Sequence, residues 1–206
     1  MAEAAPIRSD EDDEEKSGGS PRGPRGLEER MLRSRTVALF EPITPKSSRR
    51  VVASLLVLEA EDPKAPITLL INSPGGSVDD GFAIYDAMRF IACPVRALCV
   101  GLSASAANIV LLGAPKGSRF SLPNTRVLLH QPSTGASGTA SDLAITAREI
   151  LKTRKRLNEL LTAETGQKKE RIEEDTNRDY WLSAAEAKEY GLIDRVVAAR
   201  KDLPQG

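Results

Sequence analysis

Three continuous aliphatic runs constrain this chain more than any other feature. ITLLINSPGG (67–76), PVRALCVG (94–101) and VLLHQP (127–132) are built from Leu, Ile and Val, with no polar alternation. Runs of this kind read as strands buried within a parallel sheet. Between the first two lies SVDDGFAIYDAMRF (77–90), which reads as a helix. Strand, helix, strand at this spacing predicts βαβ units and an α/β fold.

The flanking segments extend that pattern. RTVALFEPI (35–43) is a short strand-like run ending at a turn with Pro42 and Pro45. In SSRRVVASLLVLEAED (47–62), Ser47 or Ser48 is placed to cap a helix with Val51, Leu55 and Leu58 on its apolar stripe. Asp142 to Glu164 reads as a long helix with Leu143, Ala147, Ile150, Leu157 and Leu161 on one stripe. WLSAAEAKEYGLIDRVV (181–197) predicts a helix capped near Ser183, Gly191 as its C-cap, and a last strand.

Composition narrows the function classes. A chain of 206 residues is long enough for one domain with a real core. Aromatic residues are only 4% of it, so that core must be aliphatic. The formal net charge of zero argues against a basic nucleic-acid footprint and gives no electrostatic reason to sit on a membrane. Cys93 and Cys99 have neither metal-ligand spacing nor partners for a disulfide framework, which suits a reducing compartment. No apolar run approaches a membrane span and no apolar signal region opens the chain. A cytoplasmic protein without metal or cofactor is the expectation. The first 26 residues, with DEDDEE (10–15) and then KSGGSPRGPRG (16–26), predict a disordered tail.

The chemistry-bearing residues cluster after strands. GLSASAANIVLLGA (101–114) follows a strand and carries two serines, Ser103 and Ser105. A serine at a strand-to-helix turn sits where backbone N–H groups can bind an anion. The G-x-S-x-G elbow would choose Ser103, but Ser105 stands where that pattern needs glycine. A serine nucleophile needs a base, and His130 is the only histidine in the chain. Asp and Glu total 29, so composition selects no third member. Gly75 and Gly76, after Pro74, form a turn whose bare N–H groups could approach an oxyanion. The residues by themselves point to a possible serine hydrolase on an α/β fold, with the serine and the carboxylate left open.

INSPGG, the serine-bearing stretch, LPNTRVLLHQP, AREILKTRKRLNELLTAETGQ and EEDTNRDYWLSAAEAKEYGLID, in that order from about Met31 to Val197, resemble the ClpP family. These are the proteolytic subunits of Clp ATP-dependent proteases. The family pattern G-x-x-x-S runs from Gly101 to Ser105, so the resemblance implies Ser105 as nucleophile and Ser103 as a spacer. It implies His130 as base, Asp179 as orienting carboxylate, and Gly76 with Ala106 as oxyanion donors. It places Gly75, Ser77, Val78, Gln131 and Pro132 beside the substrate.

The implied fold is crotonase-like: repeated ββα units with a protruding handle over about 133–164, made of the long helix and a strand near Ser133 to Ala140. The peptidase domain would span 27–200, with 201–206 a C-terminal tail. The implied partners are further copies of the chain, in seven-membered rings stacked as a tetradecamer, and a AAA+ ATPase that feeds in unfolded polypeptide. Three departures stand out. Ala106 and Ala107 replace the usual Met-Gly, which would strain Ala107 if that position needs a positive φ. Asn177 replaces the acid of an acid–arginine pair before the aspartate that links rings to the active state. The family's axial-loop segment is not recognisable in residues 1–30. Two other classes remain: a non-catalytic structural subunit of a mixed ring, and a crotonase-type acyl-CoA enzyme. The intact Ser, His and Asp set weighs against both.

Overall fold

The computed structural model describes residues 24–204 apart from Thr134. The acidic run of the expected tail lies outside these residues, whereas Pro24, Arg25 and Gly26 already belong to helix α1 (Pro24–Arg33). At the other end, a single 3-10 turn spans Arg200–Asp202, inside the segments read as domain end and tail.

The parallel sheet is as the aliphatic runs predict. Strands β1 (Thr36–Leu39), β2 (Ile67–Ser73), β3 (Val95–Ala104), β4 (Arg119–Ser121) and β7 (Arg195–Val196) lie side by side in that order, all parallel. Helices α2 (Pro45–Glu61), α3 (Val78–Phe90) and α4 (Ala107–Gly113) supply the crossovers. Leu39, Leu55, Leu58, Leu69, Ile71, Ile84 and Leu111 are fully buried between these helices and the sheet. The helix over 45–61 starts earlier than its serines suggest. Pro45 sets the first helical φ, Thr44 is the N-cap, and Ser47 completes a capping box with it.

β3 is long enough to take two neighbours on one edge. Its first half pairs with β4 and its second half, Leu102 to Ala104, pairs with β5 (Arg126–Leu129). Gly101, at φ +85°, stands between the two halves, in a backbone conformation that a side chain would strain. β5 pairs in turn with β6 (Tyr180–Ser183), the one antiparallel neighbour in the sheet.

The long helix is α5 (Ala140–Thr165), opened by a capping box between Thr139 and Asp142 and closed by Gly166 in the left-handed conformation. Only its base touches the core: Leu161 is buried and Leu157 half-buried, whereas Leu143 and Ala147 are exposed. The strand expected near Ser133 to Ala140 is absent among the described residues there. This Ser-, Gly- and Ala-rich stretch has few of the β-branched and aromatic residues that favour a strand.

A buried ion network fixes the base of α5. The Arg119 side chain is 1% exposed and pairs with Glu164, while its Nε donates to Ala114 O at 2.8 Å. Arg89 reaches the same carboxylate at 2.9 Å. Both arginines also donate to Leu112 O, so the C-terminal carbonyls of α4 and the end of α5 are held by the same two guanidinium groups. Removing one partner of such a pair leaves an uncompensated buried charge. Glu164→Ala is expected to lower unfolding stability by about 3 kcal/mol, read from denaturant midpoints, with Glu164→Gln losing less.

Candidate active site

Strand pairing explains why residues far apart in the chain converge. In the β5–β6 ladder Leu129 faces Tyr180, and each preceding pair keeps the same antiparallel register. One step further along this register brings His130 opposite Asp179. The side chains meet there, with His130 Nδ1 3.1 Å from Asp179 Oδ1. On the other side of β5, the ladder with β3 ends at Ala104 opposite Leu128, and Ser105 is the next residue. Ser105, His130 and Asp179 thus each sit one residue beyond a strand end, on three neighbouring strands. Sequence reasoning did not detect β6, because YWLS runs directly into the cap of helix α7 (Ala184–Tyr190). Its aromatic residues were the available signal.

Ser105 stands on a strained turn. Its φ is +55°, and Arg35 is the only other described non-glycine residue with a positive φ. Such a conformation costs about 1–3 kcal/mol and persists only where its surroundings hold it. The strain predicted for Ala107 is therefore not there: Ala107 is the first residue of α4 and its neighbour Ser105 carries the positive φ. Ser105 N–H donates to Leu128 O at 3.0 Å, which fixes the turn to the strand that carries His130. Ser105 and His130 line one cleft, and among the described residues no hydrogen bond joins the Ser105 hydroxyl to the ring. Because Nδ1 faces the carboxylate, Nε2 is the nitrogen available to that hydroxyl.

The glycine turn packs directly under this elbow. A Cβ on Gly75 would lie 2.5 Å from Ala104 O and 2.9 Å from Ala106 N, at a φ of +86°. A Cβ on Gly76 would lie 2.3 Å from Ile43 O. Gly76 is exposed, and Ala106 is the N-cap of α4, so the N–H of Ala106 is not used by the helix ladder. Ser77 caps α3, accepting from Asp80 N. Val78, Gln131 and Pro132 line the cleft with Ser105 and His130. The cleft encloses about 30 Å³, room for little beyond a water molecule or two.

Further residues that spacing did not single out complete the site. Leu112 and Leu157 add apolar wall, and Asn158 and Thr176 add buried polar groups, so the base of the handle helix forms one side of the cleft. Thr176 O accepts from Gln131 N at 2.6 Å and Asn177 O accepts from Gln131 Nε2 at 2.8 Å, which tie the segment before Asp179 to the segment after His130. Asn177 acts here through its main-chain carbonyl.

Electrostatics separate the two serines and define the His–Asp pair. Ser103 is fully buried. Burial pushes the neighbouring Cys99 thiol up to about 12, against a smaller opposing effect of its hydrogen bond with Ser103. The raised Cys99 thiol is no base for Ser103 near neutral pH. The Asp179 side chain is 64% exposed and that of His130 29%, so water screens their attraction and the pair adds little to stability. What it does add is orientation, holding one tautomer and one ring face. Among the described residues no cluster of His, Cys, Asp and Glu could hold a metal ion.

Gly75→Ala is expected to destabilise the fold by at least about 1 kcal/mol and to slow fluorophosphonate labelling of Ser105 by about tenfold or more, since the added methyl must displace the elbow backbone. Thermal unfolding and labelling rate measure the two effects. A family model described as Clp protease matches residues 25–200, a span that takes in every strand of the sheet and all three residues at the strand ends. The chain belongs to the Clp protease family.

Proposed function

We propose that this member of the Clp protease family is a serine endopeptidase that cleaves short peptides and unfolded polypeptide through an acyl-enzyme. The observation that carries this reading is the convergence of Ser105, on a positive-φ elbow, with a His130 ring already oriented by Asp179. Ser105 Oγ attacks the scissile carbonyl while His130 Nε2 takes its proton. His130 returns that proton to the leaving amine as the tetrahedral intermediate collapses. Water then attacks the ester carbonyl while giving a proton to the same nitrogen, and His130 returns that proton to Ser105 Oγ as the acid product leaves. Asp179 keeps the proton on Nδ1 and steadies the imidazolium. The N–H groups of Gly76 and Ala106 face the developing oxyanion, and losing one such donor costs about a hundredfold in rate. Gly75, Ser77, Val78, Gln131 and Pro132 flank the bound chain.

The proposed assembly is a seven-membered ring, two of which stack through the handles to enclose the sites, in the cytoplasm, with a AAA+ ATPase supplying unfolded chain. The handle helix supports it: Leu143, Ile145 and Leu151 are 41%, 51% and 61% exposed, Leu143 and Leu151 on one face of α5 and Ile145 on another. A helix with apolar residues on more than one side is suited to burial by partners.

Ser105→Ala should abolish both hydrolysis of a fluorogenic peptide and fluorophosphonate labelling, with the label mapped to residue 105 in the unmodified chain. Label on Ser103 would refute the assignment. His130→Ala and Asp179→Asn should each cost orders of magnitude in kcat, non-additively with Ser105→Ala. A parallel acyl-CoA assay separates the crotonase-type alternative, and an inert wild-type chain would favour the structural subunit. Sedimentation tests the assembly. Asn177, in place of an acid, predicts rings that separate more readily than is usual for the family, and a monodisperse monomer that still cleaves peptides would exclude the ring.

A further inference from the structure

Ser103 and Asn108 have no part in the chemistry above, yet both are buried, Ser103 at 0% and Asn108 at 3% exposure. They bracket Ser105 in the chain and are joined across it. Ser103 Oγ donates to Asn108 Oδ1 at 2.9 Å, and Asn108 Nδ2 donates to Leu128 O at 2.7 Å. The second bond settles which end of the amide is nitrogen, because a carbonyl can only accept, and the first bond agrees with it. Leu128 O also accepts the N–H of Ser105, and Ser105 O accepts the N–H of Asn108. One carbonyl on β5, two residues before His130, therefore holds both the nucleophile's own amide and the first turn of α4.

The position of this bracket matters. The β3–β5 ladder stops at Ala104 opposite Leu128, so no strand pairing fixes the chain beyond it. That is where Ser105 must hold a left-handed backbone and present its hydroxyl to His130. α4 spans only seven residues and its N-cap, Ala106, has no side chain able to cap it. The amide of Asn108 supplies the missing restraint, and Ser103 fixes the orientation of that amide.

We propose that Asn108 and Ser103 are positioning residues that set the approach of the Ser105 hydroxyl to the His130 ring by clamping the start of α4 to β5. The proposal rests on the serine-peptidase reading and extends it to two residues outside the Ser-His-Asp set.

The test compares full-length wild type with Asn108→Asp, Asn108→Ala and Ser103→Ala. It reads kcat, KM and the rate of fluorophosphonate labelling at Ser105, with thermal unfolding as the check on folding. Asn108→Asp is nearly isosteric. Its ionised form still accepts from Ser103 but cannot donate to Leu128 O, whereas its protonated form can donate again. Burial disfavours the charged form. The expected result is a kcat for Asn108→Ala about a hundredfold down with KM little changed. Ser103→Ala should lose less. For Asn108→Asp, the ratio of its kcat to that of wild type should rise as pH is lowered, because the donor is restored. A purely space-filling role gives a ratio that does not vary with pH, and that result overturns the proposal, as does labelling of folded Asn108→Asp and Ser103→Ala at the wild-type rate. If Asn108→Ala does not fold, these other two variants carry the test. Failure of the underlying reading is seen separately, as a wild-type Ser105 that takes no label, and the positioning proposal falls with it.

Discussion

Strand β5 is the interaction on which the site depends. It is four residues long, yet it is hydrogen-bonded to β3 on one side and β6 on the other. The side chain after each of these strand termini is placed by pairing geometry. Because side chains alternate across a strand, a slip of one residue in the β5–β6 register would turn every β6 side chain to the opposite face and move Asp179 away from the ring. Register is held by burial: Val127, Leu128, Leu129 and Leu182 are all buried, so a slip would bring polar or charged neighbours into the core. A weak, exposed contact such as His130 to Asp179 can then be kept at 3.1 Å without contributing much stability of its own.

The remaining restraints act on the Ser105 side. Gly75 lies so close to the backbone of Ala104 and Ala106 that no side chain fits between them. The elbow is thus pressed from below by the glycine turn and tied laterally to Leu128 O. On the far end of α4, Arg119 and Arg89 hold the carbonyl of Leu112 and share Glu164 with the handle helix. The short helix after Ser105 is therefore fixed at both ends, and its outer anchor is the base of the element through which subunits are proposed to meet.

The α/β class, the main strands and the caps at Ser183 and Gly191 were legible because they rest on local chemistry: aliphatic runs, turn residues, and a cap followed by its helix. The choice of Ser105 over Ser103 was not legible from local chemistry. Both are serines near a strand end, and only the family spacing separated them. The structure adds a physical distinction, since Ser103 points into the core and Ser105 occupies the turn. Asn108 was hidden in an apolar run, and nothing in its neighbours signals that its amide spans from Ser103 to Leu128. β4 (RFS) and β6 (YWLS) were missed because neither carries the aliphatic run that marks the equally short β5. Their existence is decided by the neighbours they pair with, residues remote in the chain.

The same reasoning explains the handle. Its helix was visible from its caps and apolar spacing, but its assigned stripe mixed two kinds of position. Leu157 and Leu161 meet the core and wall the cleft, whereas Leu143, near the helix start, meets nothing buried within the chain. Periodicity reports that a residue is apolar, and not which molecule will cover it. The strand expected before the helix is likewise not formed among the described residues of 133–139, which lie outside every strand. Ser105, His130 and Asp179, by contrast, are placed by the pairing of β5 with β3 and β6, which the chain completes alone.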